Sequence, residues 1–312
     1  MDHRSHARCS QQRRGKLHRI EDGSLVSERH AVFVRRLAHP FGVEVFDLGM
    51  SQLGDSAIKE QLHATLFENL LIIIRNQTLG LAGQVDLTRV FGKPELVSDR
   101  RHPKSPFVQE IVSANRPPDA PRSGSQFWHT DGSFRAYPPI ATLLASVRIP
   151  QIGGETLFAD TRSAYEALPS SLLLSAQGLE ARFSYHYRLN ELHAQGHGPN
   201  DNDEQTKIPD VVHPLIRKHP VTGRGSLYLD ELCIAGVEAE PGESGGSLLA
   251  ELFSYALDPE RCYRHEWQSG DLLIWDNVST MHRRGPEHHG ERVLHRTTAA
   301  GPSSLPFHQD ER

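Results

Sequence analysis

The chain has 312 residues, with 34 Lys+Arg against 39 Asp+Glu, a formal charge of −5 and 37% hydrophobic residues, enough to bury one large core or two modest ones. That balance gives no electrostatic reason to expect a nucleic-acid or membrane partner, and no apolar run approaches the roughly 18 residues that span a bilayer. Three widely spaced cysteines (Cys9, Cys233, Cys262) provide neither a disulfide framework nor a thiolate zinc site, whereas nineteen histidines make imidazole and carboxylate the expected ligands of any metal. A soluble, cytoplasmic, globular protein is expected.

Residues 1–30 are basic and polar without an apolar period, and read as a disordered tail ahead of a single domain over 31–312. Gly42–Phe46 reads as a short strand. Ile58, Leu62 and Leu66, four apart, form one buried stripe of a helix. The run Leu70–Ile74 then reads as a central strand covered on both faces. A second helix over Leu81–Phe91 should stop at Gly92, with Pro94 just beyond.

Further strands are expected at Phe107–Val112, Ile140–Val147, Glu155–Phe158, Ser226–Leu229, Leu272–Trp275 and Val293–Thr298. Ser163 to Glu166 has the form of a capping box and should open a helix carrying Leu168, Leu172 and Leu173. The long polar stretch around 186–210 reads as a lid loop. Scattered strands with few helices in the second half predict a mainly β, antiparallel sandwich or barrel with peripheral helices.

The most informative segment is Gln126-Phe-Trp-His129-Thr-Asp131-Gly132. In an extended segment residues two apart share a face, so His129 and Asp131 would present imidazole and carboxylate together, and Gly132 would let the chain turn. Alone, His-x-Asp is a weak motif. A third ligand, His282, follows the strong strand ending at Asp276-Asn277. Two histidines and one carboxylate on one face make the triad suited to non-haem Fe(II), with open positions for small ligands; zinc would more often leave one. Arg292 and Arg296 alternate onto one face of a strand and could grip a dicarboxylate, and Thr156, in a turn entering a strand, could donate to a carboxylate.

Four pieces taken in order carry a family resemblance: Trp128-His-Thr-Asp131, Gly-Gly-Glu-Thr156 with Leu-Phe-Ala-Asp160, Trp275-Asp-Asn277 before His282, and Arg292-Val-Leu-His-Arg296. Over roughly Pro40 to Gly301 the chain resembles the taurine dioxygenase and 2,4-dichlorophenoxyacetate dioxygenase family of Fe(II)/2-oxoglutarate-dependent oxygenases. The resemblance implies a double-stranded β-helix (jelly roll), with Fe(2+) as cofactor and 2-oxoglutarate and O2 as cosubstrates. It implies His129, Asp131 and His282 as iron ligands. Arg292 with Thr156 would bind the distal carboxylate of 2-oxoglutarate, and Arg296 would help hold the acidic group of substrate or cosubstrate.

The expected activity is oxidation, with hydroxylation the first choice, of a small carboxylate-bearing molecule, releasing succinate and CO2. Desaturation or another oxidative outcome is the variant within the same chemistry. Zinc-dependent hydrolysis, with Glu155 or Asp276 as base, and a non-catalytic jelly-roll binding protein are the readings from other classes. The partner is a small-molecule substrate, with no nucleic acid or membrane, and a homo-oligomer is compatible with the resemblance. No histidine stands just after Phe91-Gly92, where the taurine-specific enzymes carry one, so taurine is a poor substrate guess; His102 is expected to be an exposed loop histidine. Asn115, Gln126 and Gly132 are candidate substrate contacts, as are Tyr185, Tyr187 and Arg188. His186, His193 and His197 are expected to be solvated, His288 and His289 exposed, and Trp267 and Trp275 core residues.

Overall fold

The computed structural model of the chain describes residues 17–19, 25–27, 31–113, 124–187, 190, 208–238, 245–285 and 288–302. Asn115, Arg188, His193, His197 and most of the expected lid lie outside them, as does most of the expected tail, apart from the paired strands Leu17–Arg19 and Leu25–Ser27.

A seven-stranded sheet organises the domain, in the order Phe33–Arg36, Val43–Phe46, Leu71–Ile74, Leu272–Asp276, Ala141–Arg148, Arg292–Ala299, Gln109–Ser113. All neighbours are antiparallel except Val43–Phe46 with Leu71–Ile74. The run through Ile74 is apolar throughout because both faces are covered. Ile72 and Ile74 point outward with Leu143, Leu272 and Ile274, onto Ile58, Leu62 and Leu66 of the helix Ser56–Asn69 and Leu87 of the helix Leu81–Thr88. Leu71 and Ile73 point inward with Leu144, Leu273, Trp275 and Leu294, and meet Phe158 from a second sheet.

That second sheet has three antiparallel strands, Cys262–His265, Thr156–Asp160 and Thr280–Arg284. Its other face, through Ala159 and Met281, is covered by residues of 181–183, 215–216 and 227–234 and by the helix Gly245–Ala256. Two facing sheets with helices outside are the expected antiparallel arrangement. They put the start of Arg292–Ala299 opposite Thr156.

The capping box is not used as expected. Asp160 caps the helix Thr161–Glu166, its Oδ1 accepting the amides of Arg162 at 2.9 Å and Ser163 at 2.8 Å. A carboxylate one residue ahead of the helix is a better acceptor for its first amides than a serine already inside it. Pro169 then separates a second helix, Ser170–Ala176, from the first. The 81–91 helix is regular only to Thr88, and Gly92 admits the Ala300 carbonyl, which a Cβ there would meet at 2.9 Å.

Candidate functional site

His129 ends an extended segment that pairs with the strand carrying His282. The amide of each residue donates to the carbonyl of the other, at 3.0 and 2.9 Å. This two-bond bridge fixes the rings 4.2 Å apart, although the residues are remote in sequence. The His129 Nδ1–H donates to the Phe127 carbonyl at 2.8 Å, which leaves Nε2 with its lone pair free. Asp131 begins a turn that Gly132 completes at φ +67°, where a Cβ would lie 2.8 Å from Pro139 Cδ. Only glycine suits that position.

Asp131 is held on several sides. Asn277 clamps its backbone, accepting its amide at 3.1 Å and donating to its carbonyl at 2.7 Å. Thr142 donates to Oδ2 at 2.8 Å and Arg296 to Oδ1 at 2.7 Å, while His282 Nε2 lies 3.8 Å from Oδ2. The ligand atoms of His129, Asp131 and His282 all lie within 4.8 Å of one another. Burial alone would raise the Asp131 carboxyl, but Arg296, the two histidines and the Thr142 hydroxyl outweigh it and hold the group well below the usual carboxylate range. Burial, then the neighbouring His129, pushes His282 down to about 3. An ionised carboxylate and a neutral imidazole are the protonation states in which these two groups ligate a metal.

Arg292 enters the space between the sheets, passing Gly154, where a Cβ would lie 3.2 Å from the arginine's Cδ. Its Nη2 donates to Thr156 Oγ1 at 3.2 Å, and Trp267 Nε1 donates to the same oxygen at 3.0 Å. With that oxygen accepting twice, the threonine's own O–H is left to donate. Arg292 is only 4% exposed, and its Nε has no hydrogen-bond partner among the described residues. Burial, then the nearby Arg284, lowers its pKa to about 9. A buried guanidinium with an unused donor is a site built for an anion.

A cavity of about 690 Å³ opens over the cluster. His129, Asp131, Gly132 and Arg296 line it, with an apolar wall of Leu96, Val97, Phe134, Tyr185 and Leu232. Tyr185 packs edge-on against Phe134 at 4.7 Å. Arg135, also on the lining, is tied bidentately to Glu95 at 2.8 and 2.6 Å. Gln126 is buried and lies off the cavity lining, as does the exposed Tyr187, while Arg292 and Thr156 lie deeper, between the sheets. Trp275 is a core residue as expected, but Trp267 also orients Thr156. His102 is not the exposed loop residue anticipated: its side chain is 15% exposed, because the strand Gln109–Ser113 carries Glu110 against it. Glu155 is engaged by Arg264, and Asp276 by His219 and the Val278 amide, and neither lines the cavity.

Sequence reasoning missed Asp230. It is buried, with Oδ2 accepting the Ser133 hydroxyl at 2.6 Å and the Thr130 amide at 3.2 Å, and Oδ1 accepting the amides of Leu232 and Cys233. Burial raises its carboxyl although these donors and His129 favour the charged form. It fastens the turn that carries both His129 and Asp131. The polar residue closing the apolar run Ser226–Leu229 was the only signal in the sequence.

Two facing sheets enclosing a two-histidine, one-carboxylate cluster are the architecture of a jelly-roll non-haem iron oxygenase. The model of the taurine catabolism dioxygenase TauD, TfdA family matches residues 34–298. The chain is 32% identical to the alpha-ketoglutarate-dependent 2,4-dichlorophenoxyacetate dioxygenase of Cupriavidus pinatubonensis, over 83% of this chain and 95% of that protein. It is 31% identical to an alkylsulfatase of Acinetobacter baylyi, over 88% and 87%. The crystal structure of AAD-2 in complex with Mn(II) and N-oxalylglycine superposes with a TM-score of 0.71 at 26% identity, covering 88% of this chain and 98% of that one. The chain belongs to the TauD/TfdA family. It is a non-haem iron, 2-oxoglutarate-dependent dioxygenase that uses Fe(II), 2-oxoglutarate and O2, on a double-stranded β-helix.

Proposed function

We propose that this dioxygenase hydroxylates a small molecule with an apolar body and a carboxylate, releasing succinate and CO2. In this reading His129, Asp131 and His282 hold the iron, and Arg292 with Thr156 takes the distal carboxylate of 2-oxoglutarate. The bound iron and cosubstrate supply the oxidising power. The chain's own residues position the substrate, exclude water and hold charge.

The observation that carries the substrate class is Arg296. Among the described residues it is the one arginine on the cavity lining not tied to a glutamate, and its partner is the metal-ligand candidate Asp131. A divalent cation competes for that same carboxylate, which leaves the guanidinium seeking an anion. The apolar wall opposite suits a ring or alkyl body. Relatives named for a phenoxyacetate and for alkyl sulfates support an acidic head group; the carboxylate is preferred because a planar guanidinium fork matches it bidentately.

The test is succinate formation by the Fe(II)-loaded protein with 2-oxoglutarate across a panel of aryl and alkyl carboxylates, their methyl esters and alkyl sulfates. Stimulation by the acids with none from the esters is expected. Stimulation by esters or by alkyl sulfates alone would overturn the carboxylate reading. A protein that bound neither Fe(II) nor 2-oxoglutarate anaerobically would remove the site assignment as well. Product masses separate a hydroxylated product from a desaturated one.

A further inference from the structure

A second His/carboxylate cluster lies away from the cavity. His295 alternates with Arg296, so its side chain leaves the opposite face of the strand Arg292–Ala299, toward the outside of the large sheet. Glu110 is its cross-strand partner in Gln109–Ser113, and His102 approaches from the preceding segment. His295 Nε2 lies 3.6 Å and His102 Nε2 4.0 Å from Glu110 Oε2, and one possible ligand atom from each residue lies within 4.8 Å of the other two.

We propose that His102, Glu110 and His295 form a second metal site, for a borderline divalent ion such as Zn2+, distinct from the catalytic iron. With metal–ligand bonds of about 2.0–2.1 Å, tetrahedral ligand atoms sit roughly 3.3 Å apart. The 3.6 and 4.0 Å separations exceed that by less than an ångström, within reach of small side-chain rotations. Three segments are fixed in register around the site. The His102 amide donates to the Val108 carbonyl at 2.8 Å and the Glu110 amide to the Arg100 carbonyl at 2.9 Å. On the other strand, Gln84 Nε2 donates to the His295 carbonyl at 2.8 Å.

The chemistry also fits. His102 and His295 side chains are 15% and 16% exposed and Glu110 40%, so the nitrogens are shielded while one side stays open for a water as fourth ligand. One bond must yield. His102 Nδ1 accepts the Lys104 amide at 3.1 Å, so the neutral ring carries its proton on Nε2. Metal binding moves that proton to Nδ1 and releases the amide of the exposed Lys104 to water. Two histidines with one carboxylate and a single open position match zinc better than the more open coordination expected at the catalytic cluster. The bound ion would pin the edge strand Gln109–Ser113 and the 99–108 segment to the strand that carries Arg292 and Arg296.

The test begins from the full-length variant His129→Ala/His282→Ala, which lacks two ligands of the first cluster, prepared metal-free and titrated with Zn2+ by calorimetry and equilibrium dialysis. One ion per chain is expected, and Zn2+ should raise the melting temperature. Adding Glu110→Gln or His295→Gln should weaken binding at least tenfold and abolish the thermal shift, with the far-ultraviolet dichroism unchanged. No zinc bound by the starting variant would overturn the proposal, as would binding that survives both additional substitutions. Should one added substitution disturb folding, the visible spectrum of Co2+ bound to the starting variant decides: tetrahedral bands support the site and octahedral bands oppose it. The outcome is independent of the substrate reading.

Discussion

Arg296 Nη1 lies 2.7 Å from Asp131 Oδ1, so the guanidinium at the cavity and the carboxylate of the His129–Asp131–His282 cluster neutralise each other. The pair is partly buried, with the two side chains 29% and 7% exposed, and breaking such a pair leaves a carboxylate short of a partner. In the proposed reading a bound cation and Arg296 compete for this carboxylate, which would link substrate recognition to the metal.

Arg296→Gln should separate the two roles. Loss of a charge-assisted contact to a bound acid is worth about 2–3 kcal/mol, or roughly 30- to 150-fold in KM for an acidic substrate. Slow succinate formation without substrate should persist, because Arg292 and Thr156 are untouched and in the proposed reading the bound cation replaces the guanidinium as partner of Asp131. Steady-state kinetics beside an uncoupled succinate assay make the check, and an unchanged KM would remove Arg296 from the substrate site.

Asp131→Ala or His282→Ala should abolish Fe(II) retention and succinate formation together. His282 packs against Trp275 at 4.7 Å, so its removal should also cost about 2 kcal/mol of stability through lost packing. Iron analysis after desalting and urea denaturation distinguish the two effects. Full iron retention in both variants would contradict the ligand assignment.

Trp267→Phe keeps an aromatic ring but removes the indole N–H that donates to Thr156 Oγ1 at 3.0 Å, together with part of the buried ring. A neutral hydrogen bond is worth about 1 kcal/mol, so the apparent affinity for 2-oxoglutarate should fall about fivefold while Fe(II) affinity holds. Arg292→Lys should be far more damaging, since an ammonium cannot contact Thr156 and a carboxylate in the fork geometry of the guanidinium. Anaerobic 2-oxoglutarate titrations of the iron-loaded variants, followed by the metal-to-cosubstrate absorption, give both numbers.

His213 is buried, its Nε2–H donating to the Arg135 carbonyl at 3.0 Å, and burial with the nearby Arg217 lowers its pKa to about 4 from 6.5. Below about pH 6.5 the unfolded chain takes up a proton that the folded chain refuses until about pH 4. Stability therefore falls as the pH drops through this window, by up to about 1.4 kcal/mol per pH unit for each such histidine. In the metal-free protein His282, pushed to about 3, adds to the slope. Urea unfolding between pH 7 and 5 should show the decline, and His213→Gln should flatten it by about one proton; an identical slope would contradict the assignment.

Gly132→Ala should destabilise the chain and disturb Asp131, because the position needs φ +67° and the new methyl would meet Pro139. A left-handed conformation costs a non-glycine residue about 1–2 kcal/mol before the clash is counted. Thermal melting and Fe(II) affinity together are the measure, with both expected to fall.

The elements with the strongest apolar pattern are legible in the sequence, as are the side chains expected to carry chemistry. The Ile58–Leu66 stripe and the Leu71–Ile74 run declare their burial through period and continuity, and Gly132 follows from the turn beside Asp131. Local pattern did not carry the cap at Asp160, since Ser163 offers the same signal and only the strand's end point decides between them. Nor could it carry Asn277 and Asp230, whose bonds to Asp131 and to the Thr130–Ser133 turn span 97 to 146 positions. The tertiary structure alone brought His282 onto His129 through two backbone hydrogen bonds, turned Arg296 toward Asp131, and set His295, one residue earlier, against His102 and Glu110 on the other face. A strand's alternation fixes that neighbouring side chains diverge, while the sheets packed on each face decide what each one meets.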